Sequence, residues 1–170
     1  MPTSDRSIRW IENLAMQERS IQSGQKSSID LCQAKDDILT AETRAFVQDT
    51  CRHLEYLIAL FNERIGMEPG QAQVCRIGNQ SDFFAVSRNG MRLVLSAPRS
   101  GAIQIQCEKI SLDDPRRLRA SVMFSGLVEA RFGAFHEIEW YFLGSKVGPE
   151  QIARHYITEF LQASRTNSNV

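Results

Sequence analysis

The chain of 170 residues is short of most of the signals that announce a chemistry. Its four cysteines stand at positions 32, 51, 75 and 107 with no CxxC among them, and no Cys–His pair has zinc-finger spacing. That excludes a disulfide-built miniprotein and gives no structural metal site, so no tightly bound metal and no cofactor are expected. No run approaches the ~20 apolar residues that span a bilayer, and the first residues, MPTSDRSIRWIENLAMQ, lack the apolar core of a signal peptide. The expected location is therefore the cytoplasm, with free thiols and Cys51 and Cys107 the most buried. Charge of one sign is not in excess either. Twenty basic residues balance twenty acidic ones, which gives no electrostatic reason to expect nucleic acid or an anionic membrane as partner. Walker, Rossmann, GxSxG, HExxH and SxxK patterns are all missing, so an enzyme has no positive support.

What is present is ordinary globular composition, with 42% hydrophobic and 24% charged residues. One bias stands out: sixteen of the basic residues are Arg and four are Lys. Arg suits planar anion recognition, but a GC-rich coding sequence produces the same bias and is the simpler cause.

The first third has helical spacing. Ile8, Ile11, Leu14, Ala15 and Ile21 form a stripe, with Ser4 as cap, and SGQKSS follows at 23–28. Residues 1–24 thus read as a helical arm. A short helical piece is expected around 29–39, then a fresh cap at Thr40. A long helix over 41–65 follows, with Val47, Cys51, Leu54, Leu57, Ile58, Phe61 and Ile65 on one face, closed by Gly66 and Pro69.

From residue 72 the period changes to two. AQVCRI, FFAVSR, MRLVLSA and AIQIQCEK read as strands, and Asn89-Gly90 marks a type I′ hairpin. LRASVMFSGLVEARF at 118–132 is one strand bent at Ser125-Gly126, or two. AFHEIEWYFL supplies the last, after which Gly148-Pro149 starts a closing helix with Ile152, Ala153, Tyr156, Ile157, Phe160 and Leu161 inward. The expected architecture is α+β: N-terminal helices, an antiparallel meander of six or seven strands, and a C-terminal helix packed on the sheet. Residues 25–163 form the single domain and 164–170 a flexible tail. Element order alone is shared with helix-grip and pleckstrin-homology-like folds, and no residue motif ties the chain to either.

Candidate sites are few. Glu137 and Glu139 share a strand face with Tyr141, about 6.8 Å between successive Cα atoms, and could hold a cation or divide acid and base roles. The competing expectation, which is favoured, is a solvated face whose acids meet Arg on the adjacent strand, where Arg119, Ser121 and Met123 lie in the facing register if the hairpin turns near 131–133. Gly144-Ser145-Lys146-Val147-Gly148 could cradle phosphate with Lys146, or simply make a tight connection. Arg116, Arg117 and Arg119, with Arg88, Arg92 and Arg99, make residues 76–119 locally basic and offer an anion surface, against an ion-paired face. Phe84, Phe124, Trp140 and Phe142 could line an apolar ligand pocket between sheet and helix. The histidines 53, 136 and 155 have no ligand spacing, and a Cys107–His136 nucleophile pair competes with a buried, inert thiol.

The balance favours a non-catalytic cytoplasmic protein acting through protein–protein contacts. A small-ligand domain and a metal-dependent enzyme using the Glu pair are the alternatives. The helices offer more apolar surface than one sheet face needs. The arm should therefore dock across its own domain or onto a second copy, a symmetric dimer being the favoured outcome. The second sheet face discriminates: bare and polar favours binding by surface, apolar and covered by another copy favours assembly.

Overall fold

The computed structural model describes residues 11–12, 14–16, 18–19, 28–66, 70–76, 83–111, 119–133 and 137–165. Within the expected arm, the described residues between 11 and 19 are helical. The rest of it, Pro69 and His136 lie outside the described residues.

Helix α1 runs unbroken from Ser28 to Ile65, 38 residues and about 57 Å at 1.5 Å per residue. The boundary expected at Thr40 does not exist. No Gly or Pro occurs between 28 and 65, so nothing stops propagation. Thr40 does not cap; its hydroxyl donates to the Asp36 carbonyl one turn back, at 2.7 Å, and meets Ser100 Oγ at 2.7 Å. Thr43 and Thr50 bond back in the same way, to the Leu39 and Phe46 carbonyls, which lets both hydroxyls lie in the buried face. That face is Phe46, Val47, Leu54 and Ile58, at helical spacing. Gly66, at φ 77°, ends the helix in the left-handed conformation that glycine adopts without steric cost.

Seven antiparallel strands follow in sequence order: β1 (Gln73–Arg76), β2 (Phe83–Arg88), β3 (Met91–Arg99), β4 (Ala102–Ser111), β5 (Arg119–Phe132), β6 (Ile138–Phe142) and β7 (Ser145–Lys146). The helix α2 (Pro149–Ala163) closes the domain and packs beside α1. The seventh strand does not come from dividing 118–132. β5 is continuous across Ser125-Gly126, and its irregularity is a bulge at Met123, where Phe124 faces Cys107 and Val122 faces Glu108. The extra strand is Ser145–Lys146, made by a second two-residue turn at Leu143-Gly144, with φ 49° and 80°.

The sheet turns one face to the helices. Val86, Leu93, Leu95, Ile103, Ile105, Cys107, Val128 and Trp140 are buried against Phe46, Val47, Leu54 and Ile58 of α1 and Ile152, Ala153, Tyr156, Ile157 and Phe160 of α2. Ser164, which the sequence groups with the tail, is itself buried, its N–H donating to the Phe160 carbonyl.

Asn89 and Gly90 have φ 48° and 73°, and Arg88 pairs with Met91 across them, as a type I′ turn requires. A Cβ on Gly90 would lie 3.9 Å from its nearest neighbour, the Ile110 carbonyl oxygen, so space is not limiting. Gly90→Val should nonetheless cost more than about 1 kcal/mol, because a β-branched residue resists positive φ. Thermal denaturation checks it; an unchanged midpoint would mean the turn relaxes to another type.

Candidate functional site

The outer sheet face, opposite the helices, is where the acidic candidates lie. β5 and β6 pair with Arg131 opposite Glu139 and Glu129 opposite Tyr141, and β7 brings Lys146 opposite Tyr141. Glu139 accepts from Lys146 Nζ at 2.6 Å and from the Tyr141 hydroxyl at 2.8 Å. The Arg131 guanidinium stacks 4.6 Å above the Tyr141 ring. The hydrogen bond from Lys146 first, then that from Tyr141, holds the Glu139 carboxyl below its ordinary range. The same bonds raise Lys146 and Tyr141. A carboxylate so engaged is a poor proton acceptor, and a lysine so engaged is a poor anchor for phosphate. Glu137 stays exposed one residue before β6. Among the described residues no group of three or more His, Cys, Asp or Glu is arranged to hold a metal.

The expected facing partners are wrong in register. Arg119 and Ser121 pair with Ser111 and Lys109 of β4, and Met123 is the bulged residue, because β6 reaches only the last four residues of β5. Arg131 is the residue opposite Glu139, but its guanidinium lies over Tyr141, and the acid's side-chain partners are Tyr141 on its own strand and Lys146 on the next.

The basic group is largely committed. Arg92 donates to Glu108 at 2.7 Å, continuing a row in which Gln106 donates to Glu108 at 3.1 Å. Arg99 meets Glu129 at 3.5 Å beside a hollow of about 230 Å³ at the β3–β4 turn, which Arg131 also lines. Arg88 faces inward. Its Nε donates to the Gly70 carbonyl at 2.6 Å, and its Nη1 donates to the Leu161 carbonyl at 3.0 Å and to Ser164 Oγ at 3.1 Å. Arg116 and Arg117 lie outside the described residues, and Arg119 is fixed only as the first residue of β5.

The four aromatic candidates do not converge. Trp140 packs on Phe46 of α1, with centroids 4.6 Å apart. Phe124 and Phe142 meet Tyr156 of α2 at 6.3 and 5.8 Å. Phe84 is buried on β2, four strands from Trp140 in the sheet order. These rings belong to the core. A larger groove, about 420 Å³, runs along the solvent side of α2 and is lined by Glu150, Gln151, Arg154, His155, Thr158 and Glu159, with Arg154 donating to Glu150 at 3.2 Å.

Burial pushes the Cys107 thiol up to about 11, with the neighbouring Glu108 charge adding to it, so the group is neutral at physiological pH and enclosed. Its suggested partner His136 lies outside the described residues. His53 is half-buried on α1, and His155 sits on α2 with its ring 5.6 Å from Phe142.

The sequence reading passed over one surface feature. β5 exposes Val122 and Met123 (55% each), Leu127 (45%) and Phe132 (46%). The available signal was the run ASVMFSGLV at 120–128, which holds no charged residue. No protein-family model matches the chain, and neither a curated protein nor a solved structure shows significant similarity to it.

Proposed function

We propose that this is a non-catalytic cytoplasmic binding protein that works through protein–protein contacts and self-associates as a symmetric dimer. The observation that carries the reading is the exposure of Val122 and Leu127, which β5 sets in an otherwise polar sheet face, with Met123 exposed beside them at the bulge. Arg92, Gln104, Gln106, Glu108, Glu139 and Tyr141 form that face, and no described element covers it. Apolar side chains left uncovered on one stretch of a strand gain by being covered, which is what a contact surface supplies. The groups best suited to chemistry are engaged with one another, Glu139 with Lys146 and Tyr141, or enclosed, as Cys107 is. Light scattering on the full-length chain tests the reading. A particle of twice 19.3 kDa is expected, and a clean monomer at high concentration would overturn it.

A further inference from the structure

β5 is paired very unequally on its two sides. β4 pairs with it from Arg119 to Glu129, but β6 pairs with it only from Glu129 to Phe132. Tyr141 stands opposite Glu129, and two residues later the chain reverses at Leu143-Gly144 into β7. From Ala120 to Leu127, therefore, β5 has a neighbouring strand on one side alone among the described residues. The alternate N–H and C=O groups on the other side have no strand partner there.

We infer that this free edge of β5 is a strand-pairing surface, and that its occupant is the β5 edge of a second copy of the chain, antiparallel about a two-fold axis. The inference rests on the self-association proposed above and names the surface that makes it.

Three observations point to that occupant. Monomeric proteins blunt open edges with lysine, proline, inward charge or a bulge. The stretch ASVMFSGLV, residues 120–128, holds no charged residue and no proline. Its single blunting device is the bulge at Met123, which leaves both Val122 and Met123 exposed. Second, an uncharged β-rich strand can face itself antiparallel without opposing like charges, so the edge and the strand that fits it are the same segment. Pairing with β1 at the opposite edge of the sheet would instead be head-to-tail and open-ended, and β1 offers only four residues. Third, Leu143 stands where the free edge begins. It is 88% exposed and held at φ 49°, a conformation that asparagine or glycine adopts more readily. A strand lying along β5 in line with β6 would end against this leucine and cover it.

Val122→Lys and Leu127→Lys test the edge in the full-length protein. Both side chains are exposed, so the thermal midpoint should hold while self-association weakens at least about ten-fold, since a lysine on an edge strand opposes strand pairing. Val122→Thr, uncharged and strand-compatible, should leave the dimer intact. Amide hydrogen exchange gives a readout that needs no substitution: residues 120–127 should exchange more slowly at high protein concentration than at low. A persistent dimer in both lysine variants, with exchange at 120–127 independent of concentration, would overturn the edge and leave the dimer to another surface such as the arm. A full-length chain that is monomeric throughout would overturn both.

Discussion

Gly126→Ala should destabilise the protein by about 2–4 kcal/mol, at or beyond the upper end of what overpacking a core usually costs. A Cβ at this position would lie 1.7 Å from the Tyr156 hydroxyl oxygen, 2.9 Å from Phe142 Cε2 and 3.0 Å from Tyr156 Cζ. The tyrosine ring is the confined one. Tyr156 is buried on α2 between Phe124 and Phe142, and burial lifts its hydroxyl to about 12. Gly126 pairs with Ile105 inside the β4–β5 ladder, so the backbone cannot retreat without breaking strand pairing. The glycine is there because a tyrosine ring approaches the strand, and φ plays no part. A second substitution makes the cause separable. Tyr156→Phe removes the nearest clashing atom, and in the Gly126→Ala background it should restore about 1 kcal/mol or more. Urea denaturation of the two single variants and the double variant measures that coupling; strictly additive costs would show that the tyrosine oxygen is not the obstacle.

The same glycine shows what could and could not be read from the chain. Local signals survived. Asn89-Gly90 dictated its turn because two successive positive φ values are rarely compatible with other residues, and AIQIQCEK dictated its faces because alternation has one solution on a half-buried strand. The apolar stripe from Ile152 to Phe160 became the buried face of α2 for the same reason. What failed depended on partners far away in sequence. Ser125-Gly126 looked like a bend because its reason, Tyr156, lies thirty residues on. Thr40 looked like a cap because its back-bond to Asp36 and its contact with Ser100 are invisible locally. Glu137 and Glu139 were set in register with Arg119, Ser121 and Met123 because register depends on where the β5–β6 connection turns, and a strand of 14 residues allows several choices. The four aromatics looked like a pocket lining because aromatic character does not say which layer a ring meets. Lys146 was open to two readings, phosphate ligand or part of a tight connection, because a Gly-rich turn has the same composition whether or not its lysine is already taken.

Arg88 carries the other large expected effect. It ends β2, and its guanidinium reaches three parts of the chain: the Gly70 carbonyl in the link after α1, the Leu161 carbonyl at the end of α2, and Ser164 Oγ just beyond. The cation also lies 5.0 Å from the centroid of the Phe61 ring on α1. Asn89 adds a donor to the Ser164 carbonyl at 2.8 Å. The last carbonyls of a helix have no intrahelical donors, so Arg88 satisfies one at Leu161 while tying the hairpin to both helices. Its charge is partly desolvated and lies near Arg165, both of which lower its pKa without threatening its ionisation. Arg88→Ala should therefore cost about 2–4 kcal/mol, since charged hydrogen bonds contribute ~1.5–3 kcal/mol each and the carbonyls left behind are partly shielded from water. Arg88→Lys keeps the charge but replaces a planar fork by a single point, which cannot serve Gly70 and Leu161 together. It should recover less than half of the loss. Hydrogen exchange supplies the structural check: the amides of the last turn of α2 should lose protection in Arg88→Ala ahead of those in β3 and β4. A variant that unfolds in urea at the wild-type midpoint, with that turn still protected, would show that the tie contributes nothing to holding α2 in place.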